Sequence, residues 1–365
     1  MNKIIYIFIL FFFVFASLIS CSKNESESKA VSSSLSCSNN ESESKAVSNP
    51  QLFNVVGYSG TILNSKDGIS WQTSTLNTLG YGPSSNLSGI AYGANTFLAV
   101  GWWTTIVSSS DGYNWVDKID GNYEGDLWRQ CGDFPCIDRV ELTNATYAKN
   151  NFVVVGYNGN ILSSPGGTTW TQRWEGSVDN VDCHPIRGCS GGDYLSDVTC
   201  GKDLFVVVGN GTVLTSSDLD SWTQRVNVFD WERLTPASNF LSAVTFGNNI
   251  FVTVGWSGRI LTSQDGIEWT ERSSGTSNNL KDVIFENGSF LVVGNSGTML
   301  SSKDGISWVE RSSGTSKALN AAAYGNNTYV VVGELGTIIT SPDGTTWTER
   351  DSGKSNYLRG ITFSR

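Results

Sequence analysis

The residue types able to do chemistry in this chain are few and unevenly spread. One histidine, His184, stands against 34 acidic and 24 basic side chains. A single imidazole removes most routes to histidine acid/base chemistry or multi-histidine metal binding, so any catalysis would rest on carboxylates, tyrosine or arginine. The most regular carboxylates are Asp67, Asp111, Asp218, Asp265, Asp304 and Asp343, each two residues after a serine and four before a tryptophan. A short carboxylate in a hairpin turn accepts backbone N–H bonds, and a glycine after it takes φ > 0. These six read as turn architecture, too dispersed to converge on one substrate.

Cysteine gives a second chemistry. Cys131 with Cys136, and Cys183 with Cys189, fall in two long insertions. Outside the cytoplasm, paired loop cysteines are more often disulfides than zinc ligands. The local pairings are expected; cross-pairing between the two loops is the alternative, and a Cys/His zinc site with His184 stays open. Cys200 occupies the place that other units give to Tyr92, Phe246, Phe285, Tyr324 and Phe363, which reads as a buried free thiol.

The elements positioning these residues are repeats. Aligned on tryptophan, the segments ending at Trp71, Trp115, Trp170, Trp222, Trp269, Trp308 and Trp347 make seven units, the last three spaced by 39 residues and the earlier intervals lengthened by insertions. Each unit holds four short β-branched and aromatic runs separated by Asn, Gly and Asp-Gly turns, the pattern of a four-stranded antiparallel meander. Such a sheet buries both faces only by stacking against copies of itself around an axis. The expectation is an all-β, seven-bladed β-propeller over 51–365. The first unit starts at its second strand and the chain ends in a lone first strand, so the two termini should share one blade and close the ring. No cofactor is expected.

SKDGISW and its copies resemble the Asp-box of sialidases, of other BNR-repeat proteins and of photosystem II stability/assembly factor propellers, with one residue fewer between Asp and Trp. Residues 1–20 read as a signal peptide, and Leu18-Ile19-Ser20-Cys21 resembles the bacterial lipobox, which implies lipidation of Cys21. Residues 21–50 are Ser-, Asn-, Glu- and Lys-rich, a flexible tether built from a tandem duplication in which Cys37 is a copy of Cys21 and not a functional thiol. The resemblance implies a bacterial cell-envelope lipoprotein held at a membrane, with the outer membrane or cell surface favoured.

A net charge of −10 disfavours nucleic acid. If the Asp turns join strands three and four, the non-repetitive residues gather on the opposite face. Trp102, Trp103, Trp128, Arg129, Tyr157, Trp174, Arg187, Trp231 and Trp256 are the candidate binders there, since aromatics with arginine are the composition of hot spots and also suit sugar rings. A non-catalytic propeller binding or assembling protein partners, expected as a monomer, is the favoured reading. A carbohydrate-binding propeller is the alternative, and a sialidase- or xyloglucanase-type glycosidase the second alternative.

Overall fold

The computed structural model describes Cys37 and residues 51–77, 86–118, 141–174, 194–225 and 240–365, with the backbone of four short strands in the insertions. All belong to the unit Leu35–Arg365 into which the chain divides after Ser34. The signal segment, Cys21 and nearly all of the tether lie outside the described residues. So do Arg187 and Trp231 and the side chains of Trp128, Arg129, His184 and the four insertion cysteines.

Seven antiparallel sheets, blades 1 to 7 in chain order, form the propeller. Blade 1 consists of Phe53–Gly57, Ile62–Ser65 and Gln72–Thr73, completed by the C-terminal strand Leu358–Phe363 as its innermost member. The innermost strands of blades 2 to 7 are Leu87–Gly93, Leu142–Ala148, Leu195–Gly201, Leu241–Gly247, Leu280–Glu286 and Leu319–Gly325. Each contacts its neighbour's innermost strand, around to closure on Leu358–Phe363. Second strands such as Phe152-Val-Val-Val-Gly156 are continuous apolar runs because both sheet faces are covered. Leu98, Val100 and Ile106 of blade 2 meet Phe152, Val154 and Trp170 of blade 3 in one cluster, so the tryptophan wedges between blades.

Blade 2 departs from four strands. Thr75–Asn77, leaving blade 1, runs parallel to Asn114–Asp117 as a fifth strand, and Ser74 Oγ donates to Gly112 O at 3.1 Å. The insertions form hairpins rather than loops alone: Trp128–Cys131 pairs with Phe134–Ile137, and Asp182–His184 with Gly188–Ser190. Their register puts Cys183 opposite Cys189, whereas Cys131 faces Phe134 and Cys136 faces Arg129. Directly opposed residues sit about 4.5–5.5 Å apart and diagonal ones about 7–8 Å, so the backbone suits a bridge better at the first pair.

The turn between strands three and four repeats one hydrogen-bond pattern. In blade 1, Ser65 Oγ donates to Asp67 Oδ1 while accepting from Gly68 N, and the same Oδ1 accepts from Ile69 N and Ser70 N. Trp71 Nε1 then donates to Gly68 O. These bonds hold the Asp67 carboxyl below its usual pKa, against a burial effect that raises it. Blade 3 has Gly166 in place of the aspartate and keeps only the Gly167 N to Ser164 Oγ bond. Blade 4 has Leu219 where the others have glycine; it takes φ 70° and packs its side chain into the core between blades 3 and 4.

Neighbouring blades also interlock near this end. A Cβ on Gly93 would lie 1.9 Å from the Tyr147 ring of the next blade; on Gly201, 2.1 Å from Phe246; on Gly247, 2.0 Å from Phe285; on Gly325, 2.2 Å from Phe363. Blade 3 has Ala148 at this position, and the residue facing it is Cys200 rather than a ring. Cys200 is not a free thiol and Cys37 is not idle: they form a disulfide across 163 residues. The small side chain that replaces the ring leaves room for a second sulfur. Gly247→Ala should cost about 1–3 kcal/mol by overpacking, read as a lowered urea midpoint; an unchanged midpoint would refute the tight ring-on-glycine contact.

Candidate functional site

Strands two and three of six blades join through a three-residue turn, at the end of the blade opposite the Asp turns. The turns are Tyr58–Gly60, Trp102–Thr104, Tyr157–Gly159, Trp256–Gly258, Asn295–Gly297 and Glu334–Gly336; blade 4 has Asn210 at the corresponding place. The first turn residue donates its N–H to the residue just before the same blade's innermost strand: Tyr58 to Tyr357, Trp102 to Asn86, Tyr157 to Glu141, Asn210 to Tyr194, Trp256 to Phe240. Two concentric positions per blade are thereby brought side by side.

In blades 1 to 5 these positions are mostly aromatic, and the rings touch. Tyr58 stacks on Tyr357 at 5.5 Å and meets Trp102 edge-on at 6.1 Å. Tyr157 meets Tyr194 at 4.3 Å, Tyr194 meets Phe240 at 5.0 Å, and Phe240 stacks on Trp256 at 4.9 Å. Between the two runs lies Glu141, which accepts a hydrogen bond from Trp102. The result is an aromatic arc over five blades, with Asn279, Asn295, Ala318 and Glu334 completing the circle in blades 6 and 7. Arg359, on the innermost strand of blade 1, lies over the Tyr58 ring at 5.6 Å.

Burial raises the Glu141 carboxyl above its usual range, opposed by the Trp102 bond and by Arg359. Burial also pushes the Tyr157 and Tyr194 hydroxyls up, and the two share a hydrogen bond. The arrangement can stack, hydrogen-bond and attract charge. Among the described residues no group of three or more His, Cys, Asp or Glu side chains could hold a metal. A cleft of about 300 Å³ lined by Asn64, Lys66, Asp67, Gln72 and Tyr113 sits at the Asp-turn side, away from the arc.

The blade 2 turn is unlike the rest. All six turns place the second residue in the left-handed region, Trp103 at φ 64° and Leu335 at φ 54° among them; blade 2 differs at the third, where Thr104 takes φ 58° in place of the glycine of the others. A bulky residue in the left-handed region is strained, and such strain collects at functional sites. Trp103 is 50% exposed and Trp102 37%, so this turn presents two indoles to solvent.

Of the sequence-predicted binders, Trp102, Trp103, Tyr157 and Trp256 meet on this face. Trp174 packs against the core between blades 3 and 4 and takes no part in the arc. Tyr194, Phe240, Tyr357 and Arg359 were not singled out by sequence. The signal was present: three of them immediately precede the leucine that begins an innermost strand, and Arg359 follows it.

Comparison with known proteins agrees with the fold. A family model described as the DUF6242 beta propeller domain matches residues 235–358. No curated protein matches the sequence. YCF48 from Cyanidioschyzon merolae is similar in structure at 18% identity and TM-score 0.55, over 79% of this chain and 90% of that one. A structure of YCF48 bound to D1 peptide is similar at 14% identity and TM-score 0.54, over 78% and 85%. The WD40 beta propeller domain of Doa1 is similar at 12% identity and TM-score 0.52, over 87% and 90%. These likenesses show the fold alone, a β-propeller.

Proposed function

We propose that this chain is a membrane-anchored exported lipoprotein whose propeller binds or helps assemble protein partners without catalysis, through the aromatic arc. The Trp102-Trp103-Thr104 turn carries the reading: it leaves two indoles partly exposed beside a β-branched Thr104 in the left-handed region, where the other three-residue turns have glycine. Peptide binding by a similar propeller, the YCF48 structure with D1 peptide, supports it. A glycan is the second reading, favoured by the half-exposed indole face of Trp103.

Replacing the strained pair by the blade 3 residues, Trp103→Asn with Thr104→Gly, should raise stability by about 1 kcal/mol while weakening partner binding tenfold or more, about 2 kcal/mol at an aromatic anchor. The measurement is urea unfolding beside affinity for a partner captured from envelope extract by the full chain, with a glycan array in parallel. Lys66→Ala and Lys303→Ala on the Asp-turn face should leave binding unchanged; if those changes weaken it and the turn variant does not, the binding face is misassigned. Anchoring has its own test. Cys21→Ala should abolish acyl labelling and release the protein from membranes, and unchanged fractionation and labelling would remove the lipoprotein reading.

A further inference from the structure

The outer edges of the blades repeat one arginine contact. At or beside the end of the fourth strand, blades 3 to 7 carry Arg173, Arg225, Arg272, Arg311 and Arg350, and each donates from Nε to the serine or threonine ten positions earlier, at 2.6–2.9 Å. Arg173 then reaches the next blade, where its guanidinium pairs with Asp220, two residues past Asp218 in the blade 4 turn. The arginine of blade 3 thus spans from its own third strand to the Asp turn of the following blade.

Blade 1 keeps the place but not the residue. Ser74 holds it, since Ser74 N donates to Ile62 O as Arg225 N does to Val213 O and Arg311 N to Met299 O. Its partner ten positions earlier is Asn64, whose Nδ2 donates to Ser74 Oγ at 2.8 Å. Ser74 gives its one proton to Gly112 O, so toward Asn64 it can only accept, and the Asn64 carbonyl oxygen is left for another donor. Across the junction, Tyr113 stands two residues past Asp111, where blade 4 has Asp220. Between Asn64 and Tyr113, where an arginine would run, lies the cleft of about 300 Å³, with Asp67, Gln72 and the exposed Lys66 also on its walls. That volume is at the lower end of the roughly 300–1,000 Å³ of small-ligand sites.

We propose that this cleft is a guanidinium site, filled from outside by the group that blade 3 supplies from within. The planar cation stacks on the Tyr113 ring and donates to Asn64 Oδ1. Asp67 offers Oδ2, since the turn occupies its Oδ1. Lys66 opposes any cation and Asp67 offsets it, so selection falls to the flat shape and forked donors of the guanidinium, which an ammonium lacks. The site lies at the Asp-turn end, away from the aromatic arc, and stands independently of the binding role assigned to that arc. An arginine side chain of a docked protein and a free arginine derivative carry the same group.

The test is titration calorimetry of the full chain in detergent with N-acetylarginine methylamide and with a capped alanine pentapeptide carrying one central arginine. The citrulline and lysine counterparts of both are the controls. Expected is saturable binding of the arginine forms, tenfold or more tighter than that of either control. Ser74→Arg should place the chain's own guanidinium in the cleft and abolish this binding without lowering the urea midpoint. Gln72→Lys, at an exposed side chain, adds a second ammonium to the wall and should weaken binding tenfold or more; it decides the matter if Ser74→Arg lowers the midpoint. A peptide that binds more tightly than the single residue identifies a protein as the source, and one that binds no more tightly identifies a small molecule. No binding to the native protein, controls that bind as tightly as the arginine forms, or native-like binding by Gln72→Lys or by a stable Ser74→Arg protein overturns the site.

Discussion

Truncation after Gly353 is expected to abolish cooperative unfolding. The missing strand supplies the innermost member of blade 1, paired along Phe53–Gly57. Leu358 is fully buried and Ile361 nearly so, and the Phe363 ring packs on Phe53 at 4.6 Å. Beyond the strand, Leu52 N donates to Ser364 Oγ and Ser364 N donates to Leu52 O, each at 3.0 Å. Three apolar side chains at about 1.5–3 kcal/mol each already equal most of the roughly 5–15 kcal/mol that stabilises a domain. Their loss also opens a hydrogen-bonding edge on the axis. Urea unfolding followed by tryptophan fluorescence checks this. A truncated chain with the midpoint of the intact one would show that the ring closes without its last strand.

The second large effect concerns Asp197 and Asp282, carboxyl groups at the third position of the innermost strands of blades 4 and 6. Asp197 Oδ1 accepts from Val198 N and from Asn144 Nδ2 of the preceding blade, and its Oδ2 accepts from Val244 N of the following one. Asp282 likewise joins Val283 N to Ala322 N across to blade 7. Burial pushes Asp197 up to about 7, with Asp282 adding to the rise and the three hydrogen bonds opposing it. Burial pushes Asp282 up to about 6.

Folded-state values above the unfolded one mean that the native protein holds protons the unfolded chain has lost. This contribution to stability is complete below about pH 3.8 and disappears as pH rises through 6 to 7. The Asp-turn carboxyls have the opposite sign: theirs is present above about pH 3.8 and lost as pH falls through their depressed values. The urea midpoint should therefore rise between pH 8 and pH 5 and fall again below about pH 4. Asp197→Asn should flatten the first limb, and at pH 5 it should cost about 1–3 kcal/mol, since one amide N–H₂ must face the Val244 N–H donor. A native midpoint that climbs from pH 5 to pH 8 would show that these carboxyls are charged in the folded protein.

Much of this was legible before any coordinates. Blade number, the sharing of blade 1 by both chain ends and the face opposite the Asp turns follow from a period that each unit repeats, so local patterning and global closure agree. What escaped was pairwise and long-range. Thr75–Asn77 reads as a connection because nothing local reveals the neighbouring outer strand it joins. Trp174 was counted as a binder on composition, yet the register of its strand turns it onto the core. Asp197 looks like a surface residue until Val244, 47 positions on, supplies its N–H. Cys37 and Cys200 look unrelated because each is odd in its own repeat, and only the fold brings two oddities together.

The glycine and ring contacts between blades give the circle a direction. At four junctions one blade presents a glycine notch and the next supplies the ring that plugs it, so such a blade is specified jointly by its own strands and by the one that follows. At the junction of blades 3 and 4 the pair is Ala148 and Cys200, a methyl against a sulfur in place of a glycine against a ring. Duplication could multiply the glycine-and-ring unit freely, whereas a recombinant propeller would have to move blades 3 and 4 together, cutting within a blade and never at the seam between those two.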